Sequence, residues 1–132
     1  MDNRRLIDEA ISVVAPKTIG NADMWWVWCA LLTANGNVYK GVCIDTISGM
    51  WFCAEHNAIS TMITAWEHII KKIVAVKMSE NGDVLVYSPC WRCREFMYQI
   101  HEENLYTDVV LDIDTTSKLK ELLPYHDRKK KI

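Results

Sequence analysis

Hydrophobic residues recur with helical spacing in four segments of the chain. In the first segment, Leu6, Ala10 and Val14 share one side of a helix. In the second segment, Ala58 and Met62 lie four residues apart within an apolar stripe. Four helices are predicted from these patterns: residues 4–14, Cys53 to about Lys71, Pro89 to about His101, and residues 117–123.

Five shorter runs, rich in β-branched and aromatic residues, lie between these helices and predict strands. The dipeptide Asn35-Gly36 joins the first two runs as a tight hairpin, so these two strands are antiparallel. Strands that alternate with helices are typical of α/β domains. The predicted fold class is α/β, a three-layer α/β/α sandwich around a mixed five-stranded sheet, with strands over residues 24–34, 38–45, 73–78, 84–87 and 109–113.

The length of 132 residues, without repeats or a long linker, fits a single domain over residues 1–132. The last residues, from about 124 to 132, include the basic run Arg128–Lys131 and are expected to form a solvated C-terminal tail. The net charge of −2 argues against a surface for duplex nucleic acid, which is normally basic. Neither a membrane-spanning run nor a signal peptide is evident, so a cytoplasmic location is expected.

The chain contains five cysteines, an odd number that fits a disulfide framework poorly. Three of them fall in two fragments, Cys53–Glu55 and Pro89–Cys93, which read Cys-Ala-Glu and Pro-Cys-Trp-Arg-Cys. A metal ligand two residues before a glutamate, followed later by Pro-Cys-x-x-Cys, is the signature of zinc-dependent deaminases. The sequence therefore predicts a zinc ion held by Cys53, Cys90 and Cys93.

The spacing of these cysteines has a physical basis. Cys90 and Cys93 are one helical turn apart, so both sulfurs can face one point, while Cys53 begins another helix. Three protein ligands leave one zinc position open, which is typical of catalytic sites. Three thiolates also make the site negative, and we expect helix N-termini and hydrogen bonds from His56, Arg94 or both to offset that charge.

Glu55 lies two residues from a predicted ligand, so it can reach the metal site without binding the metal. It is the expected catalytic residue, which takes a proton from water, passes it to a ring nitrogen and later protonates the leaving ammonia. The backbone N–H of Ala54 is expected to bind the developing oxygen. The carbonyl of Ser88 is expected to accept a hydrogen bond from the exocyclic amine.

At these residues the sequence resembles the cytidine deaminase superfamily, in particular the small cytidine and blasticidin S deaminases. The resemblance extends over nearly the whole chain, from the strand at Trp25–Leu32 to the tetrapeptide Glu121–Pro124. It implies a mixed five-stranded sheet flanked by helices, one zinc ion per subunit and a small-molecule substrate. It also implies a homotetramer, with a homodimer as the alternative, whose active sites share residues across subunit interfaces.

The residues expected to bind the substrate depart from that family. Trp25 stands where the family has Phe, and Trp28 where it has Gly, in a Phe-x-Val-Gly-Ala strand. Cys43 and Asp45 stand where an Asn-x-Glu pair binds ribose hydroxyls, and cysteine replaces asparagine poorly. These residues are expected to reshape the sugar side of the pocket, which favours modified substrates over cytidine. Packing in the core or between subunits is the alternative role for the tryptophans.

The predicted function is hydrolytic deamination of a cytidine-like nucleoside or a related aminopyrimidine, with release of ammonia. A blasticidin S-type deaminase is one alternative, supported by the loss of the Asn-x-Glu pair and by the chain length. A catalytically inactive zinc-binding homologue is another. No polynucleotide or membrane partner is expected, since binding a nucleic-acid backbone needs a cationic excess that this chain lacks.

Overall fold

A computed structural model describes residues 1–127 and 131–132; the intervening part of the basic run lies outside the described residues. The helices are α1 (Asn3–Ile11), α2 (Ala54–Thr64), α3 (Trp91–Ile100) and α4 (Leu119–Leu122). The strands are β1 (Lys17–Ile19), β2 (Ala22–Met24), β3 (Val27–Thr33), β4 (Val38–Val42), β5 (Ile44–Asp45), β6 (Trp51–Phe52), β7 (Ile70–Met78), β8 (Val84–Tyr87), β9 (Asp108–Val110) and β10 (Thr116–Lys118). None of the helices among these residues combines the length and apolarity needed to cross a bilayer.

A sheet of six strands forms the centre of the fold. Its order is β10-β9-β7-β3-β4, and β8 pairs with β7 beside β9. The β7–β9 pair is parallel and the other pairs are antiparallel, which confirms the prediction of a mixed sheet. Part of each of the five predicted strands belongs to it. The sixth strand, β10, arises because the chain reverses after β9, where the Asp112 side chain accepts a hydrogen bond from the Asp114 N–H at 2.8 Å.

Alternation along β3 divides the apolar core between the two faces of this sheet. Trp28, Ala30 and Leu32 pack on one face with residues of α1. Cys29 and Leu31 pack on the other face with residues of α2 and α3. Side chains alternate along a strand, so one strand can contribute to two separate apolar clusters. Helices therefore cover both faces, and the predicted three-layer α/β/α sandwich is confirmed.

A second, small sheet of order β1-β2-β5-β6 lies beside the main one. Hydrophobic periodicity does not predict it, because its strands are two or three residues long. Ile19 pairs with Ala22 across a two-residue turn, in which Gly20 takes a left-handed φ of 58°. The predicted strand over residues 38–45 is divided, since β4 ends at Val42 and β5 pairs within the small sheet.

Helix α2 is shorter than its apolar stripe predicts. It ends at Thr64, Trp66 takes a left-handed φ of 63°, and the chain enters β7 at Ile70. The Asn104 side chain stabilises this path of the backbone from α2 into β7, because its Oδ1 accepts a hydrogen bond from the Ile70 N–H at 2.8 Å. The prediction of a helix to about Lys71 is therefore wrong, since a tertiary hydrogen bond recruits these residues to the sheet.

Polar side chains fix α2 to the β3–β4 hairpin near both of its ends. Close to its start, the Asn57 side chain donates a hydrogen bond to the Val42 carbonyl at 2.7 Å. Just beyond its end, the buried Glu67 carboxylate accepts hydrogen bonds from the Asn37 amide and the Tyr39 hydroxyl, each at 2.7 Å. These contacts leave α2 little freedom to move relative to the sheet.

Gly41 allows β4 to contact the first turn of α2. A Cβ atom at this position would lie 2.3 Å from the Ala54 carbonyl oxygen and 2.4 Å from the Ala58 nitrogen. Both are backbone atoms, so no flexible side chain can rotate away to make room. Any larger residue at position 41 must therefore displace the turn that follows Cys53.

We expect Gly41→Ala to lower the free energy of unfolding by about 3 kcal/mol, because overpacking of a tight core contact costs about that much. Urea unfolding followed by circular dichroism measures the loss. Gly36→Ala is the control, since its Cβ meets no atom within 4 Å and only its φ of 88° opposes the change, at a cost of about 1 kcal/mol. Equal losses in the two variants would contradict the importance of this close contact.

Candidate metal and active site

Helices α2 and α3 both begin at cysteine N-caps. Cys53 precedes α2, and its Sγ accepts a hydrogen bond from the His56 backbone N–H at 3.4 Å. Cys90 precedes α3, and Cys93 lies on the first turn of that helix and is buried. The partial positive charges of two helix N-termini therefore lie near the cysteine sulfurs.

Three side chains from these helix starts form a compact cluster. The Cys53 and Cys93 sulfurs are 3.2 Å apart. The Nδ1 atom of His56 contacts the Cys53 sulfur and lies 3.4 Å from the Cys93 sulfur. The potential ligand atoms of Cys53, His56 and Cys93 all lie within 4.8 Å of one another. These three residues could therefore bind a metal ion.

The donor chemistry of this cluster fits zinc, which favours thiolate and imidazole ligands. Two sulfurs bound to one tetrahedral zinc at about 2.3 Å lie about 3.8 Å apart. The observed separation of 3.2 Å between Cys53 and Cys93 is shorter, so metal binding would require a sulfur to move by a fraction of an ångström. A rotation of one side chain is sufficient for such a shift.

Cys90 lies outside this cluster, and its side chain is exposed. Cys90 is the N-cap of α3 and has an extended backbone, so it lies outside the helix and the helical spacing to Cys93 assumed from the sequence does not apply. It remains near enough for its charge to contribute to the raised pKa of Cys93. The proposed three-cysteine set is thus only partly assembled, and His56, expected to donate to the sulfurs, takes the third place.

The two clustered cysteines share one proton. The hydrogen bond from Cys93, followed by the backbone N–H of His56, lowers the pKa of Cys53. The same hydrogen bond, together with burial, raises the pKa of Cys93 well above its ordinary value. The hydrogen bond between the two sulfurs therefore favours the thiolate form at Cys53 and the thiol form at Cys93. A bound cation would replace the shared proton, since metals bind the deprotonated form.

His56 is held in position by a neighbouring aromatic ring. Its imidazole stacks on Phe96 with ring centroids 4.2 Å apart and planes 2° from parallel. Burial, and then the charge of Arg92, lowers the pKa of His56, which favours the neutral imidazole that a metal requires. Arg92 also contributes to the lowered pKa of Cys53. Sequence reasoning missed Arg92, although its place between the two cysteines of α3 could have indicated it.

Arg94 does not take the role expected from the sequence. Its Nε donates to the Pro89 carbonyl at 2.8 Å and its Nη1 donates to the Leu122 carbonyl at 3.0 Å. Its Nη2 lies 3.4 Å from the Ser88 hydroxyl oxygen, and the guanidinium stacks 4.6 Å from the centre of the Trp91 ring. Arg94 therefore fixes the loop before α3, and the structure gives it no hydrogen bond to a described sulfur.

Glu55 lies on the first turn of α2, with only 5% of its surface exposed. Burial raises the pKa of Glu55, while its own backbone N–H and then the neighbouring Cys93 and Cys53 side chains partly oppose that rise. The carboxyl group lines a narrow crevice with Ile73, Ala75 and other apolar residues. A buried carboxyl beside the metal donors is placed to exchange protons there.

The two groups expected to contact the reacting part of the substrate lie at the ends of these helices. Ala54 is the first residue of α2, so its backbone N–H has no acceptor within the helix. Ser88 lies in the exposed loop between β8 and α3. The contact that the structure shows for Ser88 is between its hydroxyl and Arg94, and it does not involve the carbonyl expected to hold the substrate.

Trp28 does not line the site. It is fully buried among apolar residues on the α1 face of the sheet, whereas Cys53, Glu55 and His56 lie on the opposite face. The position of Trp28 in β3 explains this placement, because neighbouring residues of a strand, here Trp28 and Cys29, point to opposite faces of the sheet. The expectation that Trp28 walls the substrate pocket is therefore wrong, and its alternative role in core packing agrees with the structure.

The other three residues of the expected sugar side have different surroundings. The half-exposed Trp25 donates from its indole to the Thr18 hydroxyl at 3.0 Å, so it packs on the small sheet. The buried Cys43 sulfur accepts a hydrogen bond from the Trp51 indole at 3.0 Å. Asp45 lines a cavity of about 300 Å³ on the face that carries α2. Of the three, Asp45 borders this cavity.

Comparison by sequence finds little. No protein-family model matches the chain. No curated protein matches it either.

Comparison by structure finds close likeness to cytidine deaminases. The enzyme from Mycobacterium leprae aligns with a TM-score of 0.74 and 21% identity over 94% of this chain and 98% of its own. The enzyme from Burkholderia pseudomallei aligns with a TM-score of 0.73 and 24% identity over 95% and 98% of the two chains. The Bacillus anthracis enzyme aligns with a TM-score of 0.72 and 21% identity over 94% and 88%. The chain has the cytidine deaminase fold.

The cluster predicts stoichiometric binding of one cobalt or zinc ion per chain. We expect Cys53→Ser and Cys93→Ser each to abolish the thiolate-to-cobalt charge-transfer band. Each variant lacks one of the two clustered sulfur ligands, so the metal is no longer bound there. Cys29→Ala is the control, since this buried thiol lies outside the cluster.

The same spectra identify the third ligand. A weaker band in Cys90→Ser assigns that role to Cys90, whereas an unchanged band there with loss of binding in His56→Ala assigns it to His56. Tight stoichiometric binding by Cys53→Ser or Cys93→Ser would contradict a metal site at the cluster.

Proposed function

We propose that this protein is a zinc-dependent hydrolase that deaminates a cytidine-like nucleoside or a related aminopyrimidine and releases ammonia. The main support is the buried Glu55 carboxyl, which lies on the first turn of the helix that begins at Cys53. A purely structural metal site has no use for a proton carrier in that position. The cytidine deaminase fold agrees with this function.

In this proposal Cys53 and Cys93 hold the zinc ion, with Cys90 or His56 as the third ligand. A zinc ion with one open position supplies a Lewis acid that lowers the pKa of a water molecule. The helix N-termini and Arg92 offset the negative charge of the thiolates. A reducing cytoplasm, which we propose as the location, keeps such cysteines free of disulfides.

Glu55 carries the protons of the reaction. Its carboxylate takes a proton from the attacking water and delivers it to the ring nitrogen beside the reacting carbon. A carbon–oxygen bond forms at that carbon, and the Ala54 N–H donates to the new oxygen. Glu55 then transfers the second proton of the water to the amine, the carbon–nitrogen bond breaks, and ammonia leaves. The Ser88 carbonyl holds the amine by accepting one of its hydrogens.

The contact between Trp51 and Cys43 supports a substrate other than plain cytidine. The Cys43 sulfur already accepts a hydrogen bond from the Trp51 indole, so it offers little to a ribose hydroxyl. The large indole also occupies space beside Asp45, with which Trp51 pairs across the small sheet. A blasticidin S-type deaminase is accordingly the second candidate function.

The assay that tests the proposal measures ammonia release from cytidine, deoxycytidine, cytosine and blasticidin S. We expect turnover of at least one of them by the zinc-loaded protein. Glu55→Gln should lower kcat by about a hundredfold to ten-thousandfold, the usual contribution of a positioned proton carrier. Metal analysis of this variant should show zinc retained.

Zinc retention together with lost turnover separates a catalytic role of Glu55 from a role in metal binding. Zinc binding without ammonia release from any of the four compounds, in the wild-type protein, would instead indicate an inactive zinc-binding homologue.

We also propose that the chain assembles as a homotetramer. Many large apolar side chains near the small sheet are exposed, more than an isolated chain usually presents to water. They include Ile19, Trp25, Ile47, Met50 and Phe52. Burial of this surface between copies would remove it from water and close the rim of the site.

Sedimentation analysis should give a mass near four times the 15.3 kDa of one chain. The double change Ile47→Asp and Met50→Asp should produce a smaller species, because two charges cannot be buried in an apolar interface at low cost. Tyr106→Asp is the control, since this exposed residue lies near the opposite end of β7. A wild-type protein that sediments as a monomer would contradict the proposal, and a dimer would support the alternative assembly.

A further inference from the structure

A cavity of about 300 Å³ lies on the α2 face of the main sheet, apart from the sulfur cluster. We call it the distal cleft. It is lined by Trp26, Val27, Asp45, Trp51, Lys77 and Tyr87. None of the clustered metal-binding residues borders it, and five of its six lining residues, all except Asp45, were not expected from the sequence to contact the substrate.

Strand geometry places the distal cleft next to Glu55. Side chains alternate along β7, and every second one belongs to the apolar cluster on the α1 face. The residues between them, Ile73, Ala75 and Lys77, therefore lie on the α2 face. Glu55 borders the crevice beside Ile73 and Ala75. Lys77 follows Ala75 by two residues, which corresponds to about 7 Å along the strand. A substrate whose amino group reaches Glu55 would therefore extend its other end toward the cleft.

The walls and charges of the cleft indicate what it can bind. The rings of Trp26, Trp51 and Tyr87 are each about half exposed and offer flat apolar surfaces. Asp45 and Lys77 supply one negative and one positive charge. Of the ion pairs within 4.0 Å among the described residues, none includes either of them.

Among the residues that the structure describes, the Lys77 ammonium has only an aromatic partner. It lies 5.4 Å from the centre of the Tyr87 ring, which satisfies its charge weakly compared with an anion. A neutral sugar needs hydroxyl acceptors such as Asp45, and it gives a fixed ammonium no charged partner. An anionic oxygen in a partly apolar cleft would form a charge-assisted hydrogen bond, which is stronger than a neutral one.

Building on the proposed function, we infer that the substrate carries an anionic group at the end remote from its reacting amine, and that Lys77 selects it. Asp45 accepts hydrogen bonds from hydroxyl or amine donors beside that group. Trp26 and Trp51 pack against the faces of the intervening part. The anionic oxygens belong to a phosphate or to a carboxylate, two sources of the same chemistry at Lys77.

Competing substrates test the inference. We would measure kcat/KM for cytidine, cytidine 5′-phosphate and the 5′-carboxylate of cytidine. The wild-type protein should prefer one anionic compound over cytidine by about tenfold to a hundredfold, as expected for a hydrogen bond to a charged group. Lys77→Met should remove that preference mainly through KM, and Lys77→Arg should restore most of it. Lys71→Met, an exposed change at the other end of β7, should leave the preference intact.

Direct binding separates failure of this inference from failure of the proposed function. Trp26 and Trp51 line the cleft, so quenching of tryptophan fluorescence reports binding without turnover. If no compound releases ammonia but the anionic ones still bind more tightly in a Lys77-dependent manner, the deaminase proposal fails and the anion site stands. A wild-type preference for neutral cytidine, or equal weakening of all three ligands in Lys77→Met, would overturn the inference.

Discussion

The backbone contact between Gly41 and the first turn of α2 determines where the candidate site forms. The turn carries Cys53, Glu55 and His56, and it lies against β4 without an intervening side chain. The hydrogen bond from Asn57 to Val42 holds the same turn, and Glu67 holds the far end of the helix. Because α2 is fixed at both ends, its N-terminus can present three functional groups toward α3 with little variation.

Negative charge is the main physical problem of this site. Two cysteines and a buried glutamate lie together, and their mutual repulsion contributes to the raised pKa of Cys93. This negative charge is offset by two helix N-termini, by the proton between the two sulfurs and by the nearby charge of Arg92. Arg94, the more obvious cation in the sequence, holds loop carbonyls instead. A metal ion would supply the positive charge that these weaker contributions only approximate.

Most of the architecture could be predicted because it follows local rules. The main strands, the Asn35-Gly36 hairpin and the two helices that begin at cysteines all have clear patterns of residues. Two features could not be predicted in this way. The small sheet has strands too short for any periodicity, and the end of α2 depends on Asn104, which is distant in sequence but adjacent in space.

The sequence alone determined the types of chemical group and their order: thiols at two helix starts, a glutamate two residues after the first, and a chain that forms an α/β sandwich. These follow from spacing within a few residues. Only the tertiary structure decided which groups meet. It placed Trp28 on the far face, brought His56 against two sulfurs, left Cys90 exposed, and put Lys77 opposite Val27 at the cleft. The reason is that periodicity defines faces within one element, whereas a site depends on how separate elements pack.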